Sequence, residues 1–225
     1  QRQMCIRDRP WEFYDTFDEN DRRRALAQAE YTSKSGATID LRASGDVGAL
    51  PLKYGIDPEA TGTWAGNDKV LDRYAEVLLF KAEALNELKG EPEYTEAADN
   101  TTYHVLYNPE EIMYYFNMIR YRAGLPGITL ADASDQVKMR QLIIRERMIE
   151  FACEGRRYHD LRRWGLAETE ENKPVQGMDV TKKTTERDQF YTVVNVVHKY
   201  ALRSFDRKMY FYPIPRAVLD KNAKL

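Results

Sequence analysis

Two stretches, LDRYAEVLLFKAEALNELKG (residues 71–90) and IIRERMIEFACEGRRYHDLRRWG (residues 143–165), constrain this chain most, because charges recur among apolar residues at helical spacing in both. In the first, Leu71, Tyr74, Ala75, Leu78, Ala82 and Leu85 fall on one stripe, and Asp72, Glu76 and Glu83 on a narrow strip roughly opposite. Ala75 and Ala82 carry almost no side chain, so another helix can approach closely there. Much of the remaining circumference is also apolar, which predicts burial on more than one side. Asn67 or Asp68 suits the N-cap and Gly90 the closing position.

The second stretch continues a helix beginning near Asp132 or Ser134. Ile144, Met148, Phe151 and Ala152 share a face, which Leu142 and Ile149 widen. Arg145 lies inside that arc, whereas Glu146, Arg147, Glu150 and Glu154 lie outside it. A buried arginine needs a partner, since an uncompensated interior charge is costly. The expectation is that Arg145 pairs with Glu76 or Glu83. Gly155 breaks the helix, and residues 156–164 form a short one closed by Gly165.

Asn108-Pro109 supplies a cap and a first-turn proline for another helix, with Ile112, Tyr115, Phe116 and Ile119 on its apolar face and Gly124 and Pro126 at its end. Residues 11–30 mix aromatics with acids placed before bases, and read as a solvated helix or turn. Residues 31–63 read as loop with a short strand pair, 190–197 as a strand, 209–215 as extended chain and 216–224 as a terminal helical turn. The opening QRQMCIRDR resembles translated adapter sequence, so residues 1–9 are expected to be a non-native leader to a domain over 10–225.

Few functional classes survive this reading. A formal net charge of −2 provides no field for nucleic acid. The histidines, His104, His159 and His198, lack partners at zinc-ligand spacing, and no cofactor motif occurs. Cys153 reads as a buried, inert thiol. Glu146, Glu150 and Glu154 recur every four residues, which suits structural ion pairs on a solvated face better than the two opposed acids of a glycosidase. Trp164 reads as core. Trp11, Tyr14, Tyr54 and Trp64 sit in the less regular part of the chain, where exposed rings can stack on pyranose faces; they are the candidate ligand contacts, with loop anchoring as the alternative.

Four segments in order, RYAEVLLFKAEALNE (73–87), NMIRYRAGLP (117–126), IIRERMIEFACEGRRYHDLRRWG (143–165) and FYPIP (211–215), resemble the C-terminal half of the SusD/RagB family, and Asp21-Arg22 resembles an upstream Asp-x-Arg element. The resemblance implies a mainly α fold: tetratricopeptide-like helical pairs, a SusD-like α/α superhelix, with long irregular loops and little β-structure. It implies a lipoprotein on the outer membrane of Bacteroidota that binds a glycan, oligosaccharide or peptide and delivers it to a SusC-like TonB-dependent transporter. It also implies no catalysis and no cofactor, with the charged motif residues as scaffold and the ligand in loops. Family members are commonly double this length, carry a lipidated cysteine and end on a Gln-Asn-Pro-Gly-aromatic segment. The expectation is therefore a fragment truncated at both ends, with exposed apolar surface. The alternatives are an α-helical glycoside hydrolase and a generic tetratricopeptide scaffold for protein partners.

Overall fold

A computed structural model describes residues 11–33, 35–44, 46, 48–53, 70–88, 93–95, 102–104, 107–174, 176–179, 193–195 and 204–221. The chain divides at Gly155 into two compact units. Tyr54 and Trp64, and the caps expected at Asn67, Asp68 and Gly90, lie outside the described residues.

The first unit opens with α1 (Trp11–Tyr14), a 3-10 turn (Arg22–Leu26) and short strands. β1 (Ala27–Gln28) pairs antiparallel with β4 (Leu50–Pro51), and β2 (Glu30–Thr32) with β3 (Thr38–Asp40); the one-turn α2 (Leu41–Ser44) follows β3. The long helices come next: α3 (Tyr74–Glu87), the hairpin β5 (Glu93–Thr95) and β6 (Thr102–His104), α4 (Pro109–Arg122), α5 (Leu130–Ser134) and α6 (Gln136–Glu150). The second unit holds α7 (Arg156–Arg163), α8 (Ala167–Glu170), the pair β7 (Gln176–Met178) and β8 (Val193–Asn195), a 3-10 turn (Arg207–Tyr210) and α9 (Arg216–Leu219). Among the described residues no helix is long and apolar enough to cross a membrane.

Local chemistry sets the ends of the helices. Asn108 Oδ1 accepts from Glu110 N at 3.0 Å and Glu111 N at 3.2 Å, with Pro109 in the first turn. The third long helix is divided in two. Thr129 and Asp132 form a reciprocal capping box on α5, and Asp135 then caps α6. Gly155 and Gly165, at φ 76° and 68°, supply the left-handed positions that bracket α7.

The first unit's core is a contact between α3, α4 and α6: Ala75, Leu78, Leu79, Ala82 and Leu85 meet Ile112, Phe116 and Ile119, with Ala133, Met139, Ile143 and Phe151 completing it. Ala75 and Ala82 are both buried, as a close helix approach requires. Glu76, Glu83 and Asn86 are buried as well, so α3 is covered on more than its apolar side. Two expected core residues are not in it. Leu71 precedes the helix, and Tyr74 points outward beside Val77 and Phe80.

The expectation for α6 needs correction. Arg145 is exposed and donates to Thr16 O at 2.9 Å, whereas Arg147 is 2% exposed and faces Glu76 at 3.6 Å. Ile149 apart, the buried residues of α6 form a stripe of Met139, Ile143, Glu146, Arg147 and Glu150, on the side of the helix roughly opposite the arc that apolar residues alone define. Its first half is apolar and its second half ionic. Counting apolar side chains therefore places the wrong edge inward. Cys153 also differs from expectation: it is half-buried, with φ 65° in the turn after α6. Trp164 is half-buried against the guanidinium of Arg163, 4.6 Å from its ring centroid, instead of lying in the core.

The turn after α4 shows what NMIRYRAGLP does. Asn117 clamps Ile128 through both backbone groups: Ile128 N donates to Oδ1 at 2.7 Å, and Nδ2 donates to Ile128 O at 3.2 Å. Arg120 Nε reaches Pro126 O at 2.8 Å, and Gly124 adopts φ 80°. A Cβ built on Gly127 would lie 2.6 Å from Tyr121 Oη and 2.7 Å from Asn117 Nδ2. Gly127→Ala is therefore expected to break the clamp and cost about 2 kcal/mol, through overpacking and a lost buried hydrogen bond. Urea unfolding would measure it. Unchanged stability would show that the loop moves aside.

Candidate functional site

Charged residues from four distant segments converge on the C-terminal half of α6. Arg23 holds Asp21 with two contacts, Nε to Oδ1 at 2.9 Å and Nη2 to Oδ2 at 2.8 Å, and its Nη1 donates to Glu146 at 2.5 Å and Glu150 at 2.9 Å. The Asp-x-Arg element is thus Asp21 with Arg23, not Arg22. Arg73, just before α3, donates Nη1 to Glu150 at 2.6 Å and Nε to Glu154 at 2.9 Å. Arg122, the last residue of α4, also pairs with Glu150, and Arg120 lies 3.4 Å from Glu146. Lys53 pairs with Glu154.

The backbone joins the same network. The Glu150 carbonyl at the end of α6 accepts from Lys53 Nζ at 2.5 Å and from Arg73 Nη2 at 2.7 Å. Cations there satisfy an orphan carbonyl and oppose the negative end of the helix dipole. Next to this network, Arg147 is stacked between Phe80 and Phe151, its guanidinium carbon 4.5 and 4.9 Å from their centroids, and Arg73 lies 4.6 Å from Phe151.

Glu150 is unsuited to proton transfer. Burial alone would raise the pKa of Glu150, but Arg122 and Arg73 outweigh it and hold the group at about 2. Burial would lower Arg23, and Asp21, Glu146 and Glu150 more than reverse that. Lys53 is pushed down by burial, only partly opposed by Glu154. A cavity of about 90 Å³ lies against Arg23, Lys53, Arg73, Arg122 and Glu150. It has room for a few waters, well below the usual size of a ligand pocket.

The aromatic candidates are placed differently. Trp11 is 3% exposed; its Nε1 donates to Asp46 O at 2.6 Å, and Arg42 stacks on its ring at 4.3 Å. Here it anchors a loop and has no open face. Tyr14 is half-buried, edge-on to Trp11 at 5.5 Å, with Arg24 4.5 Å from its ring centroid. His159 is exposed, and no group of three or more potential metal ligands occurs among the described residues.

The fold and its motif residues correspond to a known family. A profile described as the SusD family matches residues 7–225. The chain belongs to the SusD family. SusD-like protein P2 of Formosa agariphila is 30% identical over 168 residues, covering 68% of this chain and 30% of its own length. A SusD-like protein of Bacteroides fragilis, BF3747, superposes with a TM-score of 0.52 at 27% identity, covering 78% of this chain and 29% of its own. BT4246 superposes with a TM-score of 0.63 at 22% identity over 88% of this chain, which bears on fold alone. The chain spans about a third of the length of these relatives. The mainly helical architecture with little sheet is that of SusD-like proteins.

In this SusD-family chain the motif arginines Arg73, Arg120 and Arg122 are the counter-ions of the α6 acids. They were legible as motif letters but not as partners. The available signal was the continuation of the Met139–Ile143 stripe into Glu146 and Glu150 at the same helical angle.

A pH dependence follows. The folded pKa of Glu150 is depressed from 4.5 to about 2, so the folded state holds fewer protons between those values. Its stabilisation is complete above pH 4.5 and disappears as the pH falls toward 2. The loss expected from this group is on the order of 3 kcal/mol. Urea unfolding at neutral pH and at intermediate acid pH would show it. Glu150→Gln should flatten that slope, and an unaltered slope would assign the acid lability to other groups.

Proposed function

We propose that the protein captures a glycan or oligosaccharide at the cell surface and delivers it to a SusC-like TonB-dependent transporter, without catalysis. In this reading it sits on the exterior of the outer membrane, held by an N-terminal lipid anchor. The observation that carries the reading is the SusD-family match across residues 7–225. The state of the carboxylates along α6 and in the turn after it supports it. Glu146, Glu150 and Glu154 are held by guanidinium and ammonium groups, and Glu150 stays ionised, so none is poised as the general acid a glycosidase needs. The helices form a rigid frame, and ligand contact belongs to the loop aromatics. Tyr54 and Trp64 are the proposed platforms, with Tyr14 beside them in the candidate set and Trp11 fixed inside as support.

The test is a glycan array followed by calorimetry on the full chain. Wild type is expected to bind at least one glycan and release no reducing ends from it. Trp64→Ala is expected to weaken that binding roughly tenfold, the effect of losing one ring–sugar stack. Retained affinity would remove Trp64 from the site. Absence of any glycan binding, together with no co-purifying transporter when the two genes are co-expressed, would overturn the reading.

A further inference from the structure

The second unit contains a cleft that the α6 network does not use. It measures about 580 Å³ and is lined by His159, Arg162, Arg163, Arg207, Tyr210 and Phe211. That size suits a small ligand. Among the described residues the lining has three guanidinium groups and no carboxylate.

The cations are held in different ways. Arg162 is fixed: its Nη2 donates to the Tyr210 carbonyl, and its guanidinium stacks 4.7 Å from the Tyr212 centroid and 5.4 Å from that of Tyr158. Arg163 is oriented by Asp160, a buried carboxylate 2.9 Å from its Nε. Arg207 is exposed and makes no hydrogen bond or ion pair among the described residues. With Asp160 offsetting Arg163, the charges of Arg162 and Arg207 still leave the concavity net positive, so the arrangement favours an incoming anion. Guanidinium forks match carboxylate and other oxyanion geometry with paired hydrogen bonds. Beside them Phe211 is 80% exposed, and Tyr210 is half-buried with its ring edge-on to Phe205 at 5.0 Å. An exposed flat ring next to a cationic cluster suits a ligand that has both an apolar ring face and a negative substituent.

We propose that this cleft is a second binding site, one that takes the acidic group of a charged saccharide. Arg207 and Arg163 hold the oxyanion, Arg162 sets the local potential from its fixed position, and Phe211 packs on the sugar ring. The inference rests on the glycan-capture reading and names a ligand class for it, a saccharide bearing carboxylate or sulfate groups.

Calorimetry on the full 225-residue chain at low ionic strength, with three probes, tests it. Hexagalacturonate carries carboxylates, a carrageenan tetrasaccharide carries sulfates, and maltohexaose carries neither. At least one acidic probe is expected to bind more tightly than maltohexaose and to weaken as salt is added. Arg207→Glu, at an exposed position, is expected to lower that affinity at least tenfold with an unchanged melting temperature. Phe211→Ala is expected to lower it several-fold without altering the salt dependence. Binding of hexagalacturonate alone identifies a carboxylate ligand, and binding of the carrageenan alone a sulfate ligand; both support the site. Acidic binding that survives Arg207→Glu and Phe211→Ala overturns it. If maltohexaose binds and neither acidic probe binds better, the cleft inference fails while glycan capture stands. If no probe binds, the cleft inference fails, and the Trp64 experiment decides the wider reading separately.

Discussion

Glu150→Gln is expected to destabilise the first unit by about 3–5 kcal/mol, one of the largest effects available from a single isosteric change in this chain. The substitution keeps the side chain's volume and removes its charge. Three guanidinium groups then lose a common counter-charge, Arg23 at 2.9 Å, Arg73 at 2.6 Å, and Arg122, and one of the two acceptor oxygens becomes an NH2 donor facing them. Glu150 is 2% exposed, so water cannot replace it readily. The partners differ in their own sensitivity. Arg122 is 52% exposed in its side chain, and Arg122→Ala is expected to cost less than about 1 kcal/mol because the cation is already largely hydrated. Arg23, at 11%, has three carboxylate partners, and its removal should cost far more. Denaturant midpoints at constant slope would measure all three. A loss below about 1 kcal/mol for Glu150→Gln would mean that the network is effectively solvated.

Arg147→Ala is expected to produce a loss of similar size, about 3–5 kcal/mol. The residue is the largest fully buried side chain among the described residues. Its removal takes away the charge facing Glu76, two cation–π contacts and the packing of the aliphatic stem between α3 and α6. Arg147→Met with Glu76→Leu should recover much of the loss, since a well-packed apolar pair can replace a buried ionic one. The double-mutant cycle would then show coupling beyond additivity. Arg145→Ala is the control. It is exposed and reaches only a backbone carbonyl, so its expected cost is under about 0.5 kcal/mol. Equal losses at 145 and 147 would contradict the orientation of α6.

These two arginines also show how far the sequence could be read. The need for a buried arginine partnered by Glu76 or Glu83 was legible, because an amphipathic helix with embedded charge demands a counter-ion. Which arginine it was depended on rotation about the helix axis. That rotation is fixed by Arg23, Arg73, Arg120 and Arg122 arriving from other segments, and local periodicity contains nothing about them. The Asn108 cap, the Gly155 and Gly165 breaks, the buried face of α3 at Ala75, Leu78, Ala82 and Leu85, a short strand pair near 30–40 and the strand at 193–195 follow from neighbouring residues and could be read in advance; the partner of that last strand, 176–178, could not. Loop anchoring was open for all four candidate aromatics, but that Trp11 is buried could not be singled out, because it depends on Asp46 and Arg42, which approach from more than thirty residues away. The cleft of the second unit was invisible for the same reason: Arg162 and Arg163 come from α7, and Arg207 and Phe211 from a turn and extended segment more than forty residues later.

The most direct test of the account pairs two readouts on the same samples: the melting temperature, and reducing-end release from a glycan panel, for wild type, Glu146→Gln and Glu150→Gln. Both variants are predicted to melt roughly 6–20 °C lower, the equivalent of about 3–5 kcal/mol in a domain of this size, and no protein in the set is predicted to release reducing ends. Unchanged melting temperatures, with sugar release by wild type that either substitution abolishes, would show that these acids do chemistry and do not hold the frame together.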